Sequence, residues 1–191
     1  MIPGSKNTLA DLNHLRKTFF AKMIINARES GKSVIGICGG YQMMGIMISD
    51  PDGVEGDIRQ LPGLGILPVS TILTPTKITR QVQFRFLDYG QICEGYEIHM
   101  GNTESKSPLT QNTDGVQDGC LVDERCFGSY IHGILDNPAV IDYILAPYLA
   151  HFSKSDFDYR AFKESQYDEL AVWLRKHVDI DRIYKIMMNY D

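Results

Sequence analysis

Residues 33–45 read Ser-Val-Ile-Gly-Ile-Cys-Gly-Gly-Tyr-Gln-Met-Met-Gly, and the rest of the chain is organised around them. A short apolar run typical of a buried strand ends at Cys38, and two glycines then turn the chain into a helix predicted to begin at about Tyr41. The glycines leave room for a sharp turn that exposes the thiol, in a backbone conformation that larger neighbours would crowd. These residues therefore predict a nucleophile elbow.

The predicted elbow makes Cys38 a candidate nucleophile. The following helix points its free N–H groups and positive dipole end at the sulfur, which favours the thiolate and predicts a lowered cysteine pKa. The alternative is that Cys38 is a small buried hydrophobic residue at a strand end, as most intracellular cysteines are. The local pattern alone does not decide between these two interpretations.

Length and composition favour one domain, residues 1–191, with a single sizeable core, since the chain has 191 residues of which 43% are hydrophobic. A net charge of −5 without a basic block gives no support for a nucleic-acid or membrane partner. The sequence shows no signal peptide and no membrane-spanning run, so we expect a cytoplasmic protein. The cysteines form no C-x-x-C pair, which disfavours a zinc knuckle or a redox motif; they are Cys38, Cys93, Cys120 and Cys126.

The segments before the elbow alternate between helix and strand patterns. Thr8 is a candidate N-cap for a helix with leucines at helical spacing, and a second helical stretch covers residues 21–28. This alternation predicts an α/β domain, with a mostly parallel sheet and flanking helices. Residues 4–6 read Gly-Ser-Lys, but the spacing of a phosphate-binding loop is absent.

After the elbow the pattern changes to short strands. Residues 65–87 alternate with period two and predict antiparallel strands, and residues 95–101 predict another strand bounded by glycines. Two Asp-Gly pairs in residues 114–119 predict a hairpin, and residues 126–133 predict a strand that ends at a histidine. The tail predicts a helix over residues 138–151, an amphipathic pattern to about residue 178 that includes Phe157, and a last helix capped by Asp179.

Two predicted strand ends carry Cys38 and His132, and functional groups gather at such ends in an open α/β sheet. An imidazole within reach of a thiol suits nucleophilic acyl chemistry. His99 belongs to a polar cluster with Tyr96 and Glu97. For His132 and His99 the alternative is a structural role, and we expect only surface or packing roles for His14, His151 and His177.

Residues 36–42 match the G-x-C-x-G-x-Q elbow of class I (triad-type) glutamine amidotransferases, and residues 130–133 resemble their second catalytic segment. Within that superfamily the chain resembles the C-terminal glutaminase domain of cobyric acid synthases. The segments that carry this closer resemblance, in family order, are residues 3–8, 63–68, 95–101, 128–134 and 167–171. The resemblance implies a class I glutamine amidotransferase-like (flavodoxin-like) fold whose N-terminal strands are missing here.

The resemblance also implies a mechanism and a set of roles. Cys38 attacks the glutamine carboxamide, His132 protonates the departing ammonia, and water hydrolyses the glutamyl thioester. The remaining implied roles are an oxyanion hole of Gly39 with Gly4 or Ser5, and glutamine-binding contacts from Gln42, Tyr96 and His99. Many class I enzymes place a glutamate two residues after the histidine, but here that position is Ile134, so a dyad or a third group from elsewhere is implied.

Complete cobyric acid synthases are ligases with an N-terminal ATP-dependent domain that activates corrin carboxylates in cobalamin biosynthesis. That domain, with its ATP and Mg²⁺, is expected upstream or in a separate subunit, and this chain is expected to hold no cofactor or metal. The chain alone supplies ammonia at most, with weak activity, because its oxyanion donors lie near a terminus. A sheet edge left unpaired by the missing strands also makes a homo-oligomer possible.

Two other interpretations remain open. The chain is an amidotransferase domain of another branch, making cobyrinic acid a,c-diamide or amidating a cell-wall glutamate, although residues 3–8 count against this. Alternatively it is a non-catalytic interaction domain that kept the fold after losing its partner.

Overall fold

The computed structural model describes residues 1–151 and 158–188, and it shows helices and strands in the α/β arrangement that the sequence predicts. The α-helices are α1 (Thr8–Lys17), α2 (Phe20–Glu29), α3 (Gly39–Met44), α4 (Pro138–Leu145), α5 (Tyr159–His177) and α6 (Ile180–Met188). The strands are β1 (Val34–Ile37), β2 (Met47–Ser49), β3 (Gln60–Pro62), β4 (Ser70–Phe86), β5 (Ile92–Thr103), β6 (Thr110–Asn112), β7 (Gln117–Asp118), β8 (Cys120–Asp123), β9 (Cys126–Ser129) and β10 (Ile131–His132).

The chain divides into two compact units, Met1–Phe152 and Ser153–Asp191. All strands and α1 to α4 belong to the first unit, and α5 and α6 belong to the second. None of the described helices combines enough length with enough apolar character to span a lipid bilayer. The expected single domain over residues 1–191 stays a prediction.

A three-stranded sheet carries the elbow. Its strand order is β1-β9-β8, and β1 runs parallel to β9, with Ile37 opposite Ser129. Ile2 adds an isolated parallel bridge to Gly36 on the other side of β1. Because parallel strands end at the same edge of a sheet, Cys38 and the segment after Ser129 emerge side by side.

The larger sheet is mostly antiparallel, the pairing that the pattern of residues 65–87 predicts. Its main order is β10-β5-β4-β2-β3, with β6 and β7 attached to β4, and only the β2–β4 pair is parallel among its described ladders. The long strands β4 and β5 pair antiparallel, with a register shift between Leu73 and Ile78. Parallel pairing needs long crossover connections, whereas the short link between β4 and β5 favours the antiparallel arrangement.

The segment 126–133 is not one strand, which corrects the sequence prediction. It divides at Tyr130 into β9, in the three-stranded sheet, and β10, which pairs antiparallel with β5. The division has a polar cause: the Tyr130 backbone N–H donates to the Asp118 carboxylate at 3.1 Å, and the Ile131 N–H donates to Ser129 Oγ at 3.0 Å. Because these two N–H groups donate to side chains, they cannot take part in a regular β-ladder, and the chain crosses between the sheets at this point.

Two groups of buried apolar side chains hold these sheets and helices together. One lies between the elbow helix, α1 and β2, with Tyr41 and Met44 at its centre, and the other lies under β4, with Phe84 and Phe127. Each such side chain contributes about 1.5–3 kcal/mol on burial. The buried helix α3 thereby becomes a rigid base for the turn that precedes it.

The helix boundaries differ from prediction in three places. Asn7 is the N-cap of α1, because its side chain accepts from the Ala10 N–H, while Thr8 is the first helical residue. The elbow helix α3 begins at Gly39, and the predicted helix 138–151 is α4 followed by a 3₁₀ turn, Ala146–His151. Asp179 caps α6 as predicted, by accepting from the Arg182 N–H, whereas Phe157 lies outside the described residues.

Candidate active site

The turn at Cys38 has the sharp geometry of a nucleophile elbow. Cys38 has φ 53° and ψ −113°, a left-handed conformation that costs a non-glycine residue about 1–3 kcal/mol. Its N–H donates to the Ser129 carbonyl at 2.8 Å, and its own carbonyl accepts from the Gln42 N–H at 3.1 Å. The turn is thus held by β9 on one side and by α3 on the other, and the predicted elbow is confirmed.

The glycines around Cys38 permit close backbone approaches. A Cβ on Gly40 would overlap the Ile2 carbonyl oxygen and would lie 2.8 Å from the Pro3 carbonyl oxygen. A Cβ on Gly39 would lie 2.8 Å from the Ser5 backbone nitrogen. The opening segment therefore packs directly on the start of α3 and brings the backbone nitrogen of Ser5 close to Gly39. An oxyanion hole formed by these residues stays a prediction.

The thiol of Cys38 is buried rather than exposed, with 7% of the residue accessible. Burial raises its pKa, the Gly39 N–H lowers it, and the Glu55 and Asp118 carboxylates raise it again. The predicted lowering of the pKa is therefore wrong, because desolvation outweighs the effect of a helix of only six residues. The thiol keeps its proton and donates it to the Ile98 carbonyl at an S–O distance of 3.4 Å.

His132 reaches the elbow from the other sheet. Its strand β10 pairs with β5, where His132 lies opposite Tyr96. A Cβ on Gly4 would lie 3.4 Å from His132 Cε1 and 3.9 Å from Cys38 Sγ. Both side chains therefore border the space above Gly4, so the structure brings together two residues that are far apart in sequence.

Among the described residues, no carboxylate is hydrogen-bonded to the His132 imidazole as in a triad. Burial is the cause that lowers its pKa, so the ring is neutral at pH 7. Its Nε2 atom is buried and has no hydrogen-bond partner among the described residues. Ile134, at the position of the usual glutamate, is buried in the apolar core and offers no polar atom.

The opening segment is tied down by a carboxylate that sequence reasoning missed. Glu55 accepts from the backbone N–H of Thr8 at 2.5 Å and from that of Leu9 at 3.3 Å, at the start of α1. Glu55 is itself placed by buried Asp50, which accepts the Glu55 N–H at 2.9 Å. No motif marks Glu55, since it lies in a glycine-punctuated loop far from residues 3–8 in sequence.

Gln42 lies within the fold instead of at an open surface. Only 3% of the residue is accessible, its Oε1 accepts from Thr8 Oγ1 at 3.0 Å, and its Nε2 donates to the Tyr130 hydroxyl at 3.2 Å. Both ends of the amide thus have internal partners that join α1, α3 and the segment after β9. Contact of Gln42 with glutamine stays a prediction.

The two residues predicted from β5 have different surroundings. The His99 ring stacks on Tyr130, with ring centroids 3.8 Å apart, its Nδ1 lies 2.9 Å from the Gly101 carbonyl oxygen, and burial lowers its pKa. Tyr96 is 44% exposed and stacks on His132. Tyr96 therefore lies at the accessible side of the site, and His99 lies within it.

Asp118 is a second residue that sequence reasoning missed, because its Asp-Gly pair indicated only a turn. Its carboxylate accepts from Ser129 Oγ at 2.5 Å and from the Tyr130 N–H at 3.1 Å. Burial raises its pKa to about 6, although these hydrogen bonds lower it. Asp118 thus fixes the point at which the chain crosses from β9, the strand paired with β1, to β10, the strand of His132.

The remaining cysteines and histidines have other surroundings. Cys93, Cys120 and Cys126 are free and buried among apolar side chains. His14 lies in the last turn of α1, His177 Nδ1 lies 2.8 Å from the Trp173 carbonyl oxygen, and the side chain of His151 is outside the described set. Across residues 1–151 and 158–188 no group of three or more His, Cys, Asp or Glu side chains is placed to hold a metal ion.

Comparison with known sequences gives a consistent result. The family model described as CobB/CobQ-like glutamine amidotransferase domain matches residues 1–140. The cobyric acid synthase of Bacteroides fragilis is 54% identical over 196 residues, covering 100% of this chain and 40% of the relative. Those of Phocaeicola vulgatus and Syntrophobacter fumaroxidans are 52% and 41% identical, covering 100% and 98% of this chain. The matches extend over 40% of the length of the Phocaeicola vulgatus protein and 41% of that of the Syntrophobacter fumaroxidans protein.

Comparison with solved structures supports the same fold. A crystal structure described as that of a glutamine amidotransferase superposes with a TM-score of 0.52 over 75% of each chain, at 15% sequence identity. At this identity the likeness shows the fold, and it confirms the fold class that the sequence resemblance implied. The chain spans about 40% of the length of the curated relatives it matches.

Proposed function

This chain belongs to the family of CobB/CobQ-like glutamine amidotransferase domains, and we propose that it is the glutaminase domain of a cobyric acid synthase. It hydrolyses glutamine and supplies ammonia for the ATP-dependent amidation of corrin carboxylates in cobalamin biosynthesis. The observation that carries this proposal is the meeting of Cys38, His132 and the Gly4 backbone around one space. Identity to cobyric acid synthases over the whole chain supports the choice of branch.

The first chemical step forms a bond between Cys38 and the substrate. His132 takes the thiol proton, and the sulfur attacks the carboxamide carbon of glutamine. The electron pair of the C=O bond moves to oxygen, and the N–H groups of Gly39 and of Gly4 or Ser5 stabilise that oxyanion. The close packing of the Ser5 nitrogen against Gly39 supports this assignment.

The second half of the reaction releases both products. The tetrahedral intermediate collapses, its C–N bond breaks, and the proton on His132 leaves with the nitrogen as ammonia. Water, deprotonated by His132, then attacks the glutamyl thioester. The C–S bond breaks, glutamate departs, and the proton returns to Cys38.

The resting site holds a neutral thiol and a neutral imidazole, because burial raises the pKa of Cys38 and lowers that of His132. Charge separation between them is therefore unfavourable until substrate and the oxyanion donors offset it. This supports weak glutaminase activity of the chain by itself, with full activity in the company of its synthetase partner.

ATP and Mg²⁺ belong to the synthetase part of the longer protein in this proposal. The described residues hold neither the spacing of a phosphate-binding loop nor a cluster of metal ligands. The steps above accordingly use glutamine, water and side chains of this chain alone. The corrin substrate and the synthetase domain are the proposed partners.

Ammonia release from glutamine tests the proposal. Wild type is expected to release ammonia and glutamate in equal amounts, and Cys38→Ala is expected to lose this activity because no nucleophile remains. Cys93→Ala, which removes a thiol from the core and leaves the site intact, is the matched control and retains activity. Absence of ammonia release by wild type, with or without the synthetase part, would overturn the proposal.

A further inference from the structure

The backbone of His132 is held by its neighbours on both sides. It pairs with Tyr96 in the β5–β10 ladder, and Asn137 ties the following turn to β5 by accepting from the Glu94 N–H at 2.9 Å and donating to the Gly133 carbonyl at 3.1 Å. Gly95 allows the two strands to approach, since a Cβ there would lie 2.6 Å from the His132 carbonyl oxygen. The position of Cα is therefore fixed by the fold.

The orientation of the imidazole ring needs a separate explanation. In a triad a carboxylate bonded to one ring nitrogen sets the plane of the imidazole. Here Ile134 supplies no such group, and His132 Nε2 has no hydrogen-bond partner in the described part of the chain. A ring without a polar partner rotates about its side-chain bonds unless packing prevents it.

Packing against Tyr96 provides that restraint. The two rings are nearly parallel, with an interplanar angle of 9° and centroids 5.0 Å apart. This is the offset-stacked arrangement that aromatic pairs favour, and it limits the imidazole to one plane. A ring face also attracts an imidazolium, the form that His132 takes during the reaction.

We propose that Tyr96 is a positioning residue, whose ring holds the His132 imidazole toward Cys38 in place of the missing carboxylate. The inference rests on the proposed function in that it assigns His132 as the proton carrier. It differs from the role that the family resemblance implied, which was contact with glutamine. The ring and not the hydroxyl acts here, because the Tyr96 hydroxyl makes no hydrogen bond to any described residue and the residue is 44% exposed.

Steady-state kinetics distinguish positioning from substrate binding. Tyr96→Leu is expected to lower kcat about ten- to a hundredfold, the effect of a misplaced catalytic group, while KM for glutamine changes by less than about twofold. Tyr96→Phe restores the ring and is expected to rescue kcat. Tyr89→Leu removes a ring of similar exposure, which packs on Phe86, and serves as the matched control with wild-type kinetics.

A second readout does not depend on glutamine turnover. Iodoacetamide alkylation of Cys38, quantified by mass spectrometry across pH 6–9, is faster in wild type than in His132→Asn, because a well-placed imidazole takes the thiol proton. Tyr96→Leu is expected to match His132→Asn, and Tyr96→Phe to match wild type. In the described part of the chain, the ionisable side chains next to His132 are Cys38 from the elbow and Tyr96 and His99 from β5.

The outcomes separate the two proposals. Loss of His132-dependent alkylation in Tyr96→Leu supports the positioning role even if wild type releases no ammonia, a result that overturns only the proposed function. Tyr96→Leu with unchanged alkylation, a raised KM with unchanged kcat, or Tyr96→Phe as damaged as Tyr96→Leu would each overturn the positioning role.

Discussion

Cys38 and His132 rest uncharged in this structure, and the residues around them explain why. Burial of the thiol outweighs the single N–H of Gly39, and burial lowers the pKa of the imidazole, which has no carboxylate partner among residues 1–151 and 158–188. The carboxylates that approach the elbow, Glu55 and Asp118, raise the thiol pKa further. The thiol proton is therefore expected to move to His132 only as the sulfur attacks an electrophile. Glu55 and Asp118 also hold the backbone segments that form the site.

Asp118 makes the free energy of unfolding depend on pH. Its folded-state pKa of about 6 lies above its usual 3.8, so its stabilising contribution is full below pH 3.8 and is lost as the pH rises through 6. Between pH 5 and pH 7.5 this loss amounts to about 1 kcal/mol. In Asp118→Asn the group does not titrate, so the free energy of unfolding of wild type minus that of the variant is expected to be larger at pH 5 than at pH 7.5.

Chemical denaturation at the two pH values measures this difference. Ser129→Ala is the matched control, because it removes a hydrogen bond to Asp118 but keeps the buried carboxyl, so its pH dependence persists. A wild-type advantage over Asp118→Asn that is equal at both pH values would contradict the raised pKa.

The segment from Ile2 to Thr8 depends on a loop carboxylate for its position. Glu55→Gln replaces an oxygen that accepts the Thr8 and Leu9 N–H groups with an amide that presents a donor on one side. Bonds of this kind, to a charged acceptor, contribute about 1.5–3 kcal/mol each. We expect kcat for glutamine hydrolysis to fall about tenfold or more, since the oxyanion donors next to Thr8 shift.

Asp57→Asn in the same loop is the control for Glu55→Gln, because Asp57 is exposed, and its kinetics are expected to match wild type. Equal kcat for Glu55→Gln and wild type would show that the opening segment holds its position without the carboxylate.

The start of α3 tolerates no side chain at Gly40. An alanine Cβ would overlap the Ile2 carbonyl oxygen, and backbone cannot move aside as a flexible side chain does. Gly40→Ala is therefore expected to lower the free energy of unfolding by about 1–3 kcal/mol. Gly90→Ala has open space around its Cβ and leaves stability within about 0.5 kcal/mol, as an ordinary surface substitution does. Thermal unfolding of both variants makes the comparison, and equal midpoints would contradict the close packing.

Local sequence patterns predicted the parts of this molecule that depend on near neighbours. The strand, glycines and helix around Cys38 form one contiguous signal, and the elbow follows from it. His132 was predicted from its motif, but its transfer to a second sheet was not, since the cause is a hydrogen bond from Tyr130 to Asp118. Glu55 was missed for the same reason: its partners lie more than forty residues away, and a single sequence carries no signal for such contacts.

The burial of the Cys38 thiol could not be predicted from the sequence either. The position of Cys38 at a helix N-terminus predicted a lowered thiol pKa, and the Gly39 N–H at that N-terminus does lower it. Desolvation raises the thiol pKa by more than this amount. It comes from the opening segment and from β5, which the fold brings over the thiol. Electrostatic predictions at an enclosed site therefore need the tertiary structure.

The central claim is that Cys38 is the nucleophile toward a glutamine carbonyl, and covalent labelling with 6-diazo-5-oxonorleucine tests it most directly. This glutamine analogue alkylates an activated thiol in a glutamine site and loses dinitrogen. Peptide mapping by mass spectrometry is expected to place the adduct on Cys38, with excess glutamine slowing the labelling. An adduct on Cys93, Cys120 or Cys126 with Cys38 unmodified, or labelling that glutamine does not slow, would contradict the account.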